Sequence, residues 1–255
     1  MTAFGALFDR VRETSPLVHC ISNLVSANDC ANIVLAAGAS PIMADDPEEV
    51  EEITALSRAL CLSLGTPNPR KAEAMVKAGR TAARLGLPVV FDPVGVGASS
   101  WRLENVQRLL TAFVPDLLRV NLSEARALLG LRGQERGVDS AAASDAEDTE
   151  RCAVELARRL DCAVLLSSAT DVATDGSEIL RIPGGSPRVT AVTGSGCMLS
   201  ALCGAFLAVS DDPLHAAAAA SRFWKACSEQ AEARSAGSGM GSFHMALIDA
   251  ASLLR

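Results

Sequence analysis

Short apolar runs alternate with longer amphipathic segments along most of this chain. Six runs rich in β-branched and other apolar residues are bounded by turn residues and predict buried strands: Leu17–Ile21, Ser40–Met43, Leu60–Leu64, Pro88–Phe91, Leu117–Asn121 and Ala163–Ser167. The periodic segments between them predict helices over Glu48–Ala59, Pro69–Leu85, Leu103–Phe113 and Ser123–Leu129. Strands and helices that alternate in this way predict an α/β fold, with a mostly parallel central sheet and helices on both faces.

The second half of the chain departs from this alternation. Residues 174–176 separate two short β-like runs and predict a hairpin that adds antiparallel strands at one sheet edge. The C-terminal part is predicted to be helical, with its last helices near Leu214–Ala233 and Phe243–Leu254. Residues 132–148 and 233–241 are small and polar, which predicts connecting loops. Neither loop divides the chain convincingly, so we predict one domain for all 255 residues.

Composition and charge narrow the class of protein. The net charge is −7 and the pI is near 5.1, which argues against a nucleic-acid partner, since phosphate-backbone binding needs clustered Lys and Arg. The eight cysteines include no CxxC pair, which argues against a structural zinc site and is typical of buried thiols in a reducing compartment. The N-terminus lacks the pattern of a signal peptide, and no apolar helix approaches the roughly 20 residues that span a bilayer. We expect a soluble, cytoplasmic protein with no membrane partner.

The most informative segment is a glycine-rich turn that leads directly into an apolar helix. It consists of Gly194, Ser195, Gly196 and Cys197. Backbone N–H groups at the start of a helix lack helical partners and face the positive end of the dipole, so the turn predicts a phosphate site. A thiol in the first turn of a helix is expected to have a lowered pKa, which predicts a reactive Cys197. The alternative interpretation is a tight loop before a buried helix, with Cys197 as a small core residue.

A second motif follows the fourth predicted strand. Asp92 stands at the end of this strand, and Gly95 and Gly97 follow in a flexible turn. Ligands of open parallel sheets bind beyond the carboxyl ends of the strands, so Asp92 is a candidate ligand of Mg²⁺ and the glycines are candidates for close approach to a phosphate. The alternative is an acidic turn residue placed before Pro93.

A third motif lies at the end of the fifth predicted strand. Arg119 is a candidate phosphate clamp, and Asn121 and Glu124 stand three positions apart. The alternative is purely structural: Ser123 caps the next helix and Glu124 complements its dipole.

A fourth motif combines a polar and a soft apolar residue. Asn23 follows the first strand and can hydrogen-bond a polar ligand atom, whereas Met43 ends the second strand and offers an adaptable wall for a small aromatic ligand. A turn asparagine and a core methionine explain the same residues without a ligand.

The motifs taken in order resemble those of the hydroxyethylthiazole kinase family, which belongs to the ribokinase-like superfamily. The resemblance extends over nearly the whole chain and is carried by Val18–Asn23, Asn28–Asn32, Gly38–Asp46, Phe91–Ser99, Asn121-x-x-Glu124 and Thr193–Ala201. It implies a ribokinase-like α/β fold and transfer of the γ-phosphoryl group of ATP to the hydroxyl of 4-methyl-5-(2-hydroxyethyl)thiazole, a thiamine-salvage reaction that uses Mg²⁺.

The resemblance also implies roles for individual residues. Gly194, Ser195, Gly196 and Cys197 are expected to form the anion hole, with Cys197 facing the substrate hydroxyl as the base. Asn23, Met43 and Gly194 are expected to line the thiazole pocket, together with Cys197. Asp92 and Glu124 are expected to organise Mg²⁺, and Arg119, Asn121 and Ser167 to contact ATP. The resemblance also implies that the protein forms a homotrimer with active sites between protomers.

Two departures from the family pattern keep alternatives open. Relatives usually have glycine at the position of Val120, which is expected to place a side chain beside the phosphates. Relatives also tend to carry Thr-Gly-Glu in place of Ser167-Ser168-Ala169. The alternatives are a kinase of another small alcohol, of the hydroxymethylpyrimidine or pyridoxal type, and a thiazole-binding relative without turnover.

Overall fold

One mostly parallel sheet organises the molecule. The computed structural model describes residues 5–131 and 141–254. Their eight strands form a single sheet in the order β2-β1-β3-β4-β5-β6-β7-β8. The strands are β1 (Leu17–Ile21), β2 (Ser40–Ile42), β3 (Ala59–Ser63), β4 (Val89–Asp92), β5 (Leu117–Asn121), β6 (Ala163–Ser167), β7 (Asp171–Thr174) and β8 (Ile179–Ile182). Strands β1 to β6 pair in parallel, while β7 and β8 are antiparallel and contain the predicted hairpin.

Helices cover both faces of this sheet. The described residues form α1 (Gly5–Thr14), α2 (Ala27–Ala37), α3 (Val50–Leu56), α4 (Pro69–Leu85), α5 (Ser100–Ala112), α6 (Leu122–Leu128), α7 (Ala141–Leu160), α8 (Ser195–Leu207), α9 (Pro213–Arg234) and α10 (Met240–Leu253). Short 3₁₀ helices occupy Val96–Ala98 and Pro187–Ala191. None of the described helices is both long and apolar enough to cross a bilayer.

Two hydrophobic clusters lie on opposite faces of the sheet. One contains side chains of α1, α2, α8, α9 and α10, and the other contains side chains of α4 to α7. Neighbouring strand residues alternate between them: Cys61 belongs to the first cluster, and Leu60 and Leu62 belong to the second. This arrangement confirms the predicted α/β class with helices on both faces.

The predicted elements agree well with the structure in the sheet and less well outside it. The bounds of β1, β5, β6 and α4 are those predicted. The helix predicted over Glu48–Ala59 is shorter, because Ser57 adopts an extended conformation that ends α3 and the chain then enters β3.

The loop predicted over residues 132–148 is wrong for its second half, and residues 132–140 lie outside the described part of the chain. Helix α7 already begins at Ala141. Alanine and glutamate favour helix despite the polar composition of this segment. Asp148 forms ion pairs of 2.6 Å with Arg151 within α7 and with Arg126 of α6, and the second of these joins this turn of α7 to α6.

Candidate active site

Polar residues gather where the parallel strands end. β3, β4, β5 and β6 end at Ser63, Asp92, Asn121 and Ser167, and Asn23 lies two positions beyond β1. Parallel strands direct all these residues to one edge of the sheet. The N-terminus of α8 packs against the same region, so the predicted turn and the strand-end motifs form one site.

The turn 194–197 has the geometry of an anion cradle. Gly194 is the N-cap of α8 with φ of +77°, and a Cβ atom on it would approach the Cβ of Ser26 to 2.5 Å. Both the left-handed backbone and the close contact require glycine here. The N–H of Met198 donates to the carbonyl of Gly194 at 2.9 Å and that of Ser195 to the carbonyl of Val192 at 3.3 Å, which leaves the N–H groups of Gly196 and Cys197 at the positive end of the dipole.

Cys197 lies at the base of this turn with polar contacts that a simple core cysteine lacks. Its Sγ accepts a hydrogen bond from Nδ2 of Asn23 at 3.0 Å and lies 3.5 Å from Oγ of Ser63. Burial and the nearby charge of Asp92 raise the pKa of the Cys197 thiol. The expected lowering of this pKa by the helix terminus is therefore wrong, because desolvation and a carboxylate outweigh the dipole.

Asn23 is held rigidly at the Cys197 thiol. Its Oδ1 accepts the N–H groups of Val25 and Ser26, each at 3.0 Å, so the amide fixes the turn that follows β1 and directs its NH₂ group to Cys197. A Cβ atom on Gly65 would approach the Asn23 side chain to 2.4 Å. The turn role and the predicted site role of Asn23 thus coexist in one side chain.

Asp92 and Arg119 form a buried ion pair beneath the turn. Nη1 of Arg119 lies 3.6 Å from Oδ2 of Asp92, and Ser200 on α8 donates to the same oxygen at 2.7 Å. Within the described residues, Oδ1 of Asp92 is buried without a hydrogen-bond partner. Burial, reinforced by the charge of Glu124 and opposed by Arg119, raises the pKa of Asp92 to about 6.

Arg119 connects this ion pair to the turn and to β6. Its Nη2 donates to Oγ of Ser167 at 2.6 Å. A Cβ atom on Gly196 would lie 2.5 Å from Nη1 of Arg119, so glycine at this position admits the guanidinium directly under the turn. Two of the predicted phosphate-binding groups, the guanidinium of Arg119 and the turn 194–197, are therefore adjacent.

Glu124 joins two of the predicted motifs through a capping box. Asn121 is the N-cap of α6 and accepts the N–H of Glu124 at 2.9 Å, so the alternative that made Ser123 the cap is wrong. The Glu124 carboxylate accepts the N–H groups of Asn121 at 3.0 Å and Gly95 at 2.9 Å. It thereby holds the glycine turn after Asp92 against the end of β5.

The expected position of the Val120 side chain beside the phosphates is also wrong. Val120 is fully buried in the second hydrophobic cluster, on the α4 to α7 face of the sheet. Its neighbour Arg119 points to the opposite face, towards α8, because side chains alternate along a strand. Val120 therefore adds to this core and points away from Arg119 and the turn.

Two cavities lie near the strand ends: Ser195 and Gly196 line the first, whereas Asn23, Gly194 and Cys197 line neither. One, of about 450 Å³, is lined by Arg119, Asn121, Ser167, Ser168, Ala169, Asp171, Gly184, Gly185, Ser186, Pro187, Val189, Thr190, Ser195, Gly196, Leu199, Trp224, Lys225 and Ser228. The other, of about 410 Å³, is lined by Cys20, Ser22, Leu24, Ala27, Met43, Asp45, Thr66, Asn68 and Lys71. Met43 is 38% exposed on the wall of the second cavity, so the core-methionine alternative is wrong.

A buried histidine supports the wall that carries Met43. Nε2 of His19 lies 2.8 Å from the carbonyl of Ala44, and Nδ1 lies 2.9 Å from Oγ1 of Thr54. Desolvation lowers the pKa of His19, so the ring is neutral at pH 7. Because a carbonyl only accepts, the neutral ring carries its proton on Nε2 and holds the loop after β2 in place.

Several residues of the site carry no signal that the sequence analysis used. Ser63 ends β3, so the rule of strand-end residues would have found it once the strand was placed one residue earlier. Ser200 follows Gly196 by one helical turn and faces the same side of α8. Asp171 and Lys225 lie far apart in sequence, and no local pattern marks their contact.

Comparison with known proteins places this site in a family. The model of the hydroxyethylthiazole kinase family matches residues 8–255. The chain is 41% identical over 253 residues to hydroxyethylthiazole kinase from Clostridium botulinum (strain Alaska E43 / Type E3), covering 98% of this chain and 91% of that protein. It is 44% identical over 234 residues to hydroxyethylthiazole kinase from Methanosphaerula palustris, covering 92% and 87% of the two chains.

Solved structures give the same result. The hydroxyethylthiazole kinase protein from Pyrococcus horikoshii OT3 superimposes with a TM-score of 0.90 at 36% identity, covering 100% of this chain and 94% of the other. A pyridoxal kinase from Bacillus subtilis, solved as an ADP complex, shares the fold alone, with a TM-score of 0.58 at 19% identity over 83% and 90% of the two chains. With a family match over almost its entire length, the chain belongs to the hydroxyethylthiazole kinase family.

Proposed function

We propose that the turn 194–197 is where the γ-phosphoryl group of ATP passes to the hydroxyl of 4-methyl-5-(2-hydroxyethyl)thiazole. The observation that carries this proposal is that the turn lines one cavity and is hydrogen-bonded to Asn23, which lies beside a second cavity. Ser195 and Gly196 line the 450 Å³ cavity, whereas Cys197 contacts Asn23, whose neighbours Ser22 and Leu24 line the 410 Å³ cavity. A phosphoryl group bound at the turn lies within reach of both.

The 450 Å³ cavity is the proposed nucleotide site. Arg119 and Gly196 line this cavity, and the guanidinium with the N–H groups of Gly196 and Cys197 would favour a negatively charged phosphoryl group. Phosphoryl transfer proceeds through a loose transition state, so positioning and charge stabilisation matter most. Each preorganised donor contributes on the order of 3 kcal/mol by analogy with oxyanion holes. Asn121 lines the cavity while its side chain caps α6, and Ser167 positions Arg119.

The 410 Å³ cavity is the proposed thiazole site. Met43 supplies an adaptable apolar wall, which suits a small aromatic ring. Asn23 bonds Cys197 and is flanked by Ser22 and Leu24 of this cavity, and Gly194 packs on Ser26. The hydroxyethyl side chain is therefore expected to pass Asn23 and Gly194 on its way to the turn.

Cys197 is the proposed base, acting late in the reaction. The raised pKa of its thiol keeps most of the protein in the thiol form at neutral pH. Because the substrate hydroxyl need not lose its proton early in a loose transition state, a weakly populated thiolate suffices. The larger contribution comes from the backbone donors of the turn, and the thiolate form of Cys197 orients the hydroxyl and finally accepts its proton.

Asp92 and Glu124 fit the binding of Mg²⁺ together with ATP phosphates. The unpartnered, buried Oδ1 of Asp92 provides an oxygen whose ionised form a cation stabilises. The described residues contain no cluster of three or more groups that would hold a metal by themselves. Mg²⁺ is commonly held by one or two carboxylates completed by phosphates and water, and it neutralises charge on the transferred group. Glu124, already bonded to two N–H groups, is placed for a water-mediated contact.

The protein is further proposed to act as a homotrimer. Leu24 lines the thiazole cavity and is 84% exposed, and its neighbour Val25 is 62% exposed. Two adjacent apolar side chains in water at the mouth of a cavity favour coverage by another protomer. Light scattering on the parent and on Leu24→Glu tests this assembly. We expect the parent to be a trimer and Leu24→Glu to dissociate. A monomeric parent would contradict the assembly.

The proposed compartment is the cytoplasm. All eight cysteines are free thiols in the structure. Unpaired thiols in this number are typical of a reducing environment, which is also where ATP is abundant. Thiol quantification of the protein isolated under alkylating conditions tests this, with eight free thiols expected.

One kinetic experiment separates the proposed substrate from its alternatives. Release of ADP from Mg-ATP is measured with the thiazole alcohol, hydroxymethylpyrimidine and pyridoxal in turn. We expect the thiazole alcohol to be turned over with by far the highest kcat/KM. A preference for another alcohol would contradict the proposed pocket, and retained thiazole binding without ADP release would favour the binding protein without turnover.

A further inference from the structure

A buried lysine outside the motifs lies in a cage of oxygen atoms at the wall of the 450 Å³ cavity. Nζ of Lys225, on α9, lies 2.9 Å from the carbonyl oxygen of Ala169, 3.0 Å from that of Gly184 and 3.4 Å from that of Ser168. Oδ1 of Asp171 lies 3.3 Å away. Both charged side chains are less than one tenth exposed.

The carboxylate of this cage is itself fully engaged. Ser221, one turn before Lys225 on α9, donates to Oδ2 of Asp171 at 2.7 Å, and the N–H of Ser168 donates to Oδ1 at 2.9 Å. Buried charges are tolerated when they are paired and hydrogen-bonded in this way. The network therefore holds the ammonium group in one position.

The three carbonyls come from two separate segments of the cavity wall. Ser168 and Ala169 belong to the turn between β6 and β7, whereas Gly184 follows β8. A Cβ atom on Gly185 would lie 3.1 Å from Cγ of Lys225, so this second segment packs directly on the lysine stem. Without a cation at Nζ, three carbonyl dipoles and a carboxylate would converge with nothing between them.

We infer that Lys225 is a positioning residue whose ammonium group acts as a tethered cation, drawing two walls of the cavity together into the shape that binds the nucleotide. The inference rests on the proposal that this cavity holds ATP. Lys225 sets nucleotide affinity through the walls and makes no contribution to the thiazole pocket, which lies on the other side of the turn. Its donors are occupied by protein oxygens, so the nucleotide meets the walls rather than the charge.

The test is removal of the tethered cation and its replacement by a free one. Binding of ADP is followed through Trp224, which lines the cavity, in a Trp101→Phe background that removes the second tryptophan. Lys225→Ala is expected to raise the Kd for ADP about 30-fold, equivalent to about 2 kcal/mol. Ammonium chloride is expected to restore at least about tenfold of this loss, whereas tetramethylammonium chloride at equal ionic strength restores none.

Matched variants separate this role from a general structural one. Lys225→Met fills the space, so we expect weak ADP binding that ammonium does not rescue. Lys77→Ala removes a lysine that also donates to a backbone carbonyl, that of Pro47, and is expected to bind ADP like the parent. The KM for the thiazole alcohol is expected to stay within about twofold of the parent value in Lys225→Ala.

Two outcomes would overturn the inference: parent-like ADP affinity in Lys225→Ala, or equal effects of ammonium and tetramethylammonium. If Lys225→Ala does not fold, Asp171→Asn combined with Lys225→Met removes both charges and is expected to bind ADP weakly. Thr190→Phe blocks the same cavity away from the cage without adding a tryptophan. Loss of ADP binding in Thr190→Phe but not in Lys225→Ala would overturn the role of Lys225, whereas unchanged binding in both Thr190→Phe and Lys225→Ala would overturn the nucleotide site itself.

Discussion

Asn23 and Cys197, separated by 174 positions in sequence, meet in a hydrogen bond of 3.0 Å from Nδ2 to Sγ at the floor of the active site. The asparagine arrives from the end of β1 and the cysteine from the first turn of α8. The contact links the turn, two of whose residues line the 450 Å³ cavity, to the chain segment that lines the 410 Å³ cavity. Under the proposed function, this almost completely buried thiol meets the substrate hydroxyl.

Replacing Cys197 tests its role as the base. Cys197→Ala is expected to lower kcat about 100-fold, at the low end for general acid–base catalysis, and to leave the affinity for ATP nearly unchanged. Cys197→Asp is expected to retain activity, since a carboxylate at this position also accepts a proton. Cys227→Ala, which removes another buried thiol, serves as the control and is expected to keep the parent kcat.

The pH profile of these variants provides an independent test. Because the pKa of the Cys197 thiol is raised above its ordinary value of 9.0, kcat of the parent is expected to rise continuously from pH 7 to pH 9. Cys197→Asp is expected to lose this rise, since its carboxylate is already ionised. A parent-like kcat in Cys197→Ala would show that the thiol is not the base and that only the backbone donors of the turn contribute to catalysis.

Gly65→Ala tests the position of Asn23 without touching the site directly. A Cβ atom on Gly65 would overlap the Asn23 side chain, so the amide has to move away from Cys197. We expect kcat to fall about tenfold while the KM for ATP is unchanged. Gly239→Ala is the matched control, because its Cβ would meet no atom within 4 Å. Equal activity of both variants would show that the contact between Asn23 and Cys197 is dispensable.

We expect Asp92 to make the pH dependence of the reaction rate sensitive to the Mg²⁺ concentration. Burial raises the pKa of its carboxyl to about 6, so the ionised form that binds a cation is lost below that pH. Each tenfold increase in Mg²⁺ is expected to move the acidic limb of the rate profile to lower pH by up to about one unit, because metal binding displaces the proton. Asp92→Asn is expected to abolish this movement, and Asp212→Asn, at the start of α9, to preserve it. A limb independent of Mg²⁺ would contradict the metal role of Asp92.

We expect the folded protein to lose stability in mild acid because of His19. Its folded pKa lies below the ordinary value of 6.5, so the stability that the neutral ring contributes is complete above pH 6.5 and declines as the pH falls through the folded pKa. Between pH 7.5 and 5.0, Tm of the parent is expected to fall about 3 °C more than Tm of His19→Gln, whose amide still donates to Ala44. Parallel curves for the two proteins would show that His19 does not titrate in this range.

From the sequence, the strands of the sheet were predicted more accurately than the electrostatics of the site. The bounds of β1, β5 and β6 followed from short apolar runs ended by polar residues, which is local information. The direction of the Cys197 pKa did not, because it depends on burial and on Asp92, which come from distant strands. Side chains alternate along a strand, so Val120 and Arg119 must lie on opposite faces of the sheet. Which face each one occupies became clear only when the structure placed Arg119 beside α8.

The cage around Lys225 marks the limit of inference from sequence. Its members lie 41 to 57 positions from the lysine, and three of them act through backbone carbonyls that no residue type reveals. The departure from the family pattern at Ser168-Ala169 was visible in sequence, but its structural meaning was not. Only the fold shows that these residues offer their carbonyl oxygens to an ammonium group.

The most direct test of the account is a crystal structure with a non-hydrolysable ATP analogue, Mg²⁺ and the thiazole alcohol. We expect the γ-phosphoryl group on the N–H groups of Gly196 and Cys197, with the thiazole beside Met43 and its hydroxyl facing Sγ of Cys197. We also expect the metal at Oδ1 of Asp92. A nucleotide bound outside the cavity of Arg119 and Lys225, or a hydroxyl directed away from the turn, would contradict the proposed site.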